Sequence, residues 1–258
     1  MRLTTLGGSA AGVGTGQGCS GYLVETANTR MVMDLGPDTL LELRKHVDFR
    51  ALDGIVISHL HLDHVLDLFA LRFALKYNPR PAARPTPLFL PPGGFAFMQK
   101  AANLFVTDDE DASDYFSVYD MSEYDPDGSV SIGDFTLTFQ RTAHVIPCWS
   151  IRMHSTDDSG DLFYTADTGT DADLSGIASG ASVVLSEAAA ASGADQTKIH
   201  ALHLTPEQAA TIARDAGATH LVLTHMWEEN DPTGAVEAAR SMFDGRITVA
   251  MPGVSLSW

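Results

Sequence analysis

The chain has little that would crosslink it, embed it in lipid or hold it to a polyanion. Its 258 residues include two cysteines, Cys19 and Cys148, and neither belongs to a Cys-x-x-Cys arrangement. That excludes a disulfide scaffold and leaves two free thiols as the expectation. No apolar run approaches the ~20 residues of a membrane helix, and the first residues lead directly into a strand-like segment rather than a signal-type apolar core. A cytoplasmic location with no membrane partner is therefore expected. Basic residues are scarce: 16 Lys and Arg stand against 33 Asp and Glu for a net charge of -17, with none between residues 101 and 140. A protein that tracks nucleic-acid phosphates needs clustered Lys and Arg, so extended nucleic acid is not the expected partner. A small anion that meets only a local site escapes most of this repulsion. The expected partners are a small anionic substrate and, as a homodimer, a second copy of the chain.

What is present is a 45 % hydrophobic composition, enough for a substantial core, and a length that suits a single domain over 1–258. Strands are expected at 3–6, 21–26, 31–35, 54–58, 129–132, 135–142, 148–154, 162–166, 183–186, 220–224 and 246–250. Helices are expected at 37–47, 65–77, 94–104, 206–216 and about 232–243. The segment 78–92 is proline-rich and breaks the pattern. Residues 108–127 carry nine carboxylates and read as a solvated acidic insertion, about 105–128. Gly16-Gln17-Gly18-Cys19-Ser20-Gly21 has the glycine spacing of a dinucleotide fingerprint, but a β-forming segment follows where that motif needs a helix. The stretch 7–18 is read instead as a flexible loop overhanging the site.

The chemistry is concentrated in Ser58-His59-Leu60-His61-Leu62-Asp63-His64, between a strand-like and a helix-like apolar segment. Imidazole and carboxylate suit zinc and neighbouring transition metals. His59 and His61 are two apart and share a side of an extended segment. Asp63 and His64, where the chain turns into the helix, can face a second point. One cluster can thus start two adjacent metal sites. Four residues at later strand ends or loops are candidates to complete them: His144, Asp167, His203 and His225. In isolation Asp167 could equally be a turn aspartate capping a helix, and His203 an exposed histidine before a helix cap. His46, His154, His200 and His220 read as surface or structural.

In this order, with Ala143-His144, Ala166-Asp167-Thr168-Gly169 and Leu223-Thr224-His225, the chain resembles the metallo-β-lactamase fold hydrolases along nearly its whole length. The resemblance implies an α/β fold of four αββα layers, two mixed sheets sandwiched between helices. It implies two divalent ions, Zn2+ first with Mn2+ or Fe2+ as alternatives. His59, His61 and His144 would hold one, Asp63, His64 and His225 the other, and Asp167 would bridge them. Two such ions can share a hydroxide and clamp both oxygens of a displacement. His203-Leu204-Thr205-Pro206-Glu207-Gln208-Ala209-Ala210 further resembles the ribonuclease Z-like branch and its compact phosphodiesterases. In that branch the histidine in this place pairs with the aspartate of the first motif, so His203 with Asp63 would deliver the leaving group's proton. A tRNA 3′-processing member would carry a long basic arm between the second histidine motif and the bridging aspartate. Here His144 and Asp167 are 23 residues apart with aspartates between them. A small phosphodiester such as a cyclic nucleotide is the expected substrate, with carboxyl-ester, lactone or thioester hydrolysis the alternative and tRNA processing behind both.

Overall fold

The computed structural model describes residues 1–106, 111–156, 160–194 and 202–258. Two seven-stranded sheets lie face to face. The first is built from β1 (Arg2–Gly7), β2 (Gly21–Glu25), β3 (Arg30–Leu35), β4 (Gly54–Val56), β5 (Thr86–Leu90) and β6 (Tyr119–Glu123), with β14 (Ser255–Ser257) beside β1. Strands β1 to β3 pair antiparallel, and β3 to β6 parallel. The second runs β7 (Val130–Ile132), β8 (Phe135–Arg141), β9 (Trp149–Ser155), β10 (Leu162–Tyr164), β11 (Val183–Glu187), β12 (His220–Thr224) and β13 (Arg246–Val249). It too changes from antiparallel to parallel, at β10.

The period-2 alternation of side chains sorts each strand between two cores. In β3, Met31 and Met33 face the second sheet, where they join Phe135, Ile151, Tyr164 and Leu185, while Val32 faces outward. Outside the first sheet lie α1 (Thr39–His46), α2 (Leu62–Val65), α3 (Asp67–Tyr77) and α4 (Gly94–Phe105), which bury Leu43, Leu68, Leu71, Leu75 and Met98. Outside the second lie α5 (Ser175–Ala178), α6 (Pro206–Ala216) and α7 (Pro232–Arg240), packed through Ala178, Ala209, Ala213 and Ala239. Small alanines let these helices sit close to the sheet. This is the four-layer α/β arrangement expected from the sequence. No helix among the described residues is long and apolar enough to cross a membrane.

Two expectations need correction. The proline-rich segment contains β5, an interior strand; Pro87 precedes Leu88, the first residue paired with β4, so its missing N–H interrupts none of that ladder. The acidic stretch keeps its described carboxylates in solvent, as expected, but over 111–127 it is more than a solvated insertion. It supplies β6, and Tyr115, Phe116, Tyr119 and Tyr124 are buried between its carboxylates. Tyr119 and Tyr124 at the two ends of β6 are buried while Asp120 and Glu123 stay exposed at the edge of the sheet, where charge discourages pairing with another strand. Residues 107–110 of that stretch and His200 lie outside the described residues.

Candidate metal centre

All seven sequence-predicted ligand candidates converge at one end of the two sheets, just beyond the last residues of β4, β8, β10 and β12. The carboxyl ends of parallel strands are where open α/β sheets form crevices. Two contacts lock the contributing turns together. Trp149 N–H donates to the Ser58 carbonyl at 3.3 Å, joining the sheets beside His59, and Gly169 N–H donates to the Ala143 carbonyl at 2.8 Å, fixing the His144 turn against Asp167.

One group comprises His59, His61, His144 and Asp167, the other Asp63, His64, His225 and again Asp167, with donor atoms in each within 4.8 Å of one another. His61 Nδ1 lies 3.1 Å from both His59 Nε2 and His144 Nε2. Nitrogens bound tetrahedrally to zinc at ~2.0–2.1 Å would be roughly 3.3 Å apart, so the cluster is near that spacing already. Asp167 Oδ2 is 3.7 Å from His59 and His144 and 3.4 Å from His225, while Oδ1 is 3.4 Å from His64 Nε2. His64 Nε2, Asp167 Oδ1, His144 Nδ1 and His225 Nδ1 are buried without a hydrogen-bond partner. Buried polar atoms are ordinarily satisfied, and divalent cations would satisfy the His64 and Asp167 atoms directly. The residues fit a two-ion centre.

Protonation favours the same chemistry at the first group. At the second, burial would lower His64, but Asp167 and Asp34 outweigh it and hold the imidazole well above its usual value, so an ion binding there would release a proton. Burial pushes His59 well below its usual value, with help from His64, and lowers His61 and His144, the latter to about 4. These imidazoles are neutral at pH 7, as ligands must be. Burial would raise Asp63 and Asp167, but His225 and His64 outweigh it and hold both carboxyls below the usual carboxylate range.

Sequence reasoning missed Asp34. It is fully buried at the end of β3, in the left-handed region at φ 55°. Its Oδ2 accepts from Ser58 Oγ at 2.7 Å and Tyr164 OH at 2.9 Å and lies 2.8 Å from His64 Nδ1; Oδ1 accepts from Ser58 N–H at 2.7 Å. Ser58 Oγ, its proton committed to Asp34, sits 3.0 Å from His59 Nδ1. Asp34 thereby fixes Nδ1 as the protonated nitrogen of both His59 and His64 and leaves Nε2 to the centre. A lone aspartate inside the apolar run Met31-Val32-Met33-Asp34-Leu35 was the available signal.

His203 is brought beside the centre, its ring 5.4 Å from His144 and 5.5 Å from His225. Its expected partner is corrected: the carboxylate hydrogen-bonded to His203 is Glu187, at 3.0 and 3.1 Å from Nδ1, not Asp63. Asp63 is occupied by His225 Nε2 at 3.1 Å and the Ala11 N–H at 3.0 Å. Glu187 ends β11 beside β12, and the Thr168 and Ala189 N–H groups hold it in place. Burial alone would lower His203, but the hydrogen bond and charge of Glu187 outweigh it and push it up to about 9. The Ala11 contact also confirms that the glycine-rich loop reaches the centre. Two further backbone details serve it. A Cβ on Gly36 would collide with the Asp63 carbonyl, and Ala166 and His225 hold left-handed φ of 50° and 51°, strain of the kind that collects at functional sites.

Residues 29–226 match the family model described as a beta-lactamase superfamily domain. The uncharacterized protein Rv1339 of Mycobacterium tuberculosis is 31 % identical over 249 residues, covering 96 % of this chain and 88 % of that one. The probable metallo-hydrolase YhfI of Bacillus subtilis is 27 % identical over 260 residues and 98 % of each chain. Its crystal structure matches with a TM-score of 0.85 over 99 % of each chain at 25 % identity. Ribonuclease Z of Methanopyrus kandleri is 24 % identical over 268 residues, covering 91 % of this chain and 89 % of that one.

Proposed function

We propose, from the premise that this chain belongs to the beta-lactamase superfamily, that it is a metal-dependent phosphodiesterase acting on a small phosphodiester, with a cyclic nucleotide as the first candidate. Divalent ions held by His59, His61 and His144, and by Asp63, His64 and His225 with Asp167 between them, would supply Lewis acidity and a water acidified toward neutral pH.

The observation that carries the reading is the Glu187–His203 pair at the edge of the ligand cluster. Glu187 binds Nδ1 and keeps the imidazole charged, so Nε2 can hold a proton for a departing oxygen. An alkoxide is a poor leaving group without that proton, whereas a thiolate leaves without one, so the pair favours an oxygen ester. On a chain of net charge -17, an anionic substrate would be drawn in by the ions and His203 rather than by the surface at large. That suits one phosphate group and not a polyanion. The segment from His144 to Asp167 holds β9 and β10, which is consistent with a compact enzyme rather than one carrying an RNA-binding arm. The ribonuclease name of one relative speaks for phosphodiester chemistry, with the substrate's size decided by the rest of the surface.

Metal-loaded protein offered cyclic AMP, cyclic GMP, bis-p-nitrophenyl phosphate, a precursor tRNA, a lactone and a thioester should hydrolyse the small phosphodiesters. His203→Ala should lose that turnover and keep its metal. Turnover of the lactone or thioester alone, or preference for the tRNA, would overturn the proposal.

A further inference from the structure

Ions at the two groups leave one buried nitrogen of the centre unexplained. The second ring nitrogen of a metal-binding histidine ordinarily has a hydrogen-bond partner. His64 has Asp34 in that place and His59 has Ser58. His225 turns Nε2 toward Asp63 at 3.1 Å and Asp167 at 3.4 Å, and its Nδ1 is buried with no partner among the described residues. With an ion at Nε2, the proton of a neutral ring must sit on that orphaned Nδ1. Beside His225 stand His203, its ring 5.5 Å away and inclined by 23°, and the fully buried Glu187. Each of the three offers a donor atom within 4.8 Å of the others. The Glu187 oxygens lie 3.0 and 3.1 Å from His203 Nδ1, close to the ~3.3 Å between ligands of a tetrahedral zinc ion. The Thr168 and Ala189 N–H groups fix that carboxylate and leave it lone pairs to spare.

We propose that Glu187, His203 and His225 form a third site, for Zn2+, which fills when zinc exceeds what the two groups take and then shuts off turnover. Two imidazoles and a glutamate are the donor set of open zinc sites. Mg2+ and Ca2+ take oxygen ligands instead, so the site discriminates by metal. Each of the first two groups has four protein donors and this one has three, so it fills last. Binding releases two protons to water, one from Nδ1 of each histidine, and leaves the His225 ring shared between two ions. His203 keeps its Nε2 proton, but its ring is no longer an imidazolium and yields that proton far less readily. Glu187 changes from orienting the acid to ligating the ion. The site rests on these three residues alone, whereas its effect on turnover rests on His203 acting as the acid.

Equilibrium dialysis against buffered free Zn2+, from nanomolar to high micromolar, with zinc counted per chain, tests the site without activity. The wild type should level at two equivalents and then take a third. Glu187→Gln and His203→Ala should each keep two and bind the third at least ~10-fold more weakly. Should Glu187→Gln unfold, His203→Ala decides, its side chain being 25 % exposed. His154→Ala, which removes an exposed imidazole beside Asp161, should keep all three. Turnover of cyclic AMP should fall as the third ion binds. Turnover of bis-p-nitrophenyl phosphate, whose leaving group needs no proton, should fall far less, and excess Mg2+ added to the two-zinc protein should slow neither. A wild type that stops at two, a third equivalent that survives both variants, or one that binds without slowing a cyclic nucleotide the two-zinc protein hydrolyses would overturn the proposal. If no phosphodiester is hydrolysed at any zinc level, the proposed reaction fails and the zinc count still decides the site.

Discussion

At the scale of single residues, the centre is governed by which nitrogen of each histidine carries a proton. Asp34 decides this for His59 and His64 although it touches no reacting group. In Asp34→Asn the shape is kept and the charge lost, so the two rings are no longer held in one tautomer. Metal affinity should fall roughly 10- to 100-fold, measured by competition with a chromogenic chelator. Glu187 does the corresponding work for His203. His203 acts as an acid only while protonated, so turnover of an unactivated phosphodiester should decline as pH rises through the raised pKa of about 9. In Glu187→Gln the interaction that raises the pKa is gone, and the decline should begin at lower pH. Turnover of the unactivated substrate should drop by roughly 10²-fold, while the p-nitrophenyl ester, whose leaving group needs no proton, changes far less. Equal losses on both substrates would show that Glu187 acts through structure rather than through the proton on His203.

Among elements, α6 has an N-terminus specified down to the residue. Thr205 caps it, Pro206 takes the first turn, and Gln208 closes the capping box, as its sequence indicates. The cap stands two residues after His203 and so anchors the acid as well as the helix. Thr205→Ala should cost about 1 kcal/mol, seen as a melting temperature lowered by a few degrees, and should reduce turnover by more than that loss of stability explains. Elements less legible than α6 are those whose neighbours decide them. Thr86-Pro87-Leu88-Phe89-Leu90 is short and contains a proline, yet becomes an interior strand because β4 and β6 flank it. The nine acids of 108–127 point to solvent by composition, which hides the burial of Tyr115, Phe116, Tyr119 and Tyr124 among them, because burial depends on which side each residue faces.

Across the whole molecule, the carboxylates of Asp34, Asp63, Asp167 and Glu187 are gathered at one end of the sheets, where two dications would offset their repulsion. Chelation should therefore lower the melting temperature, and added Zn2+ should restore it in a concentration-dependent way. At 100 times the dissociation constant, each site binding only the folded state contributes about 2.7 kcal/mol. A melting temperature unmoved by a strong chelator, with the metal shown to be gone, would mean that the fold is preorganised without ions.

The sequence by itself held the candidate ligand types and their order, because these reside in local spacing such as His59 with His61 and Asp63 with His64, and the layered α/β fold followed from the family resemblance that this order carries. It could not determine pairings between residues far apart in the chain. Only the tertiary structure decided that Asp34 serves His64, that Glu187 rather than Asp63 serves His203, and that Ala11 and His225 are what hold Asp63. Each of these joins strands or loops 16 to 162 positions apart. A hydrogen bond depends on angstrom-scale distance and angle, which the order of residues does not record and the packing of two sheets does.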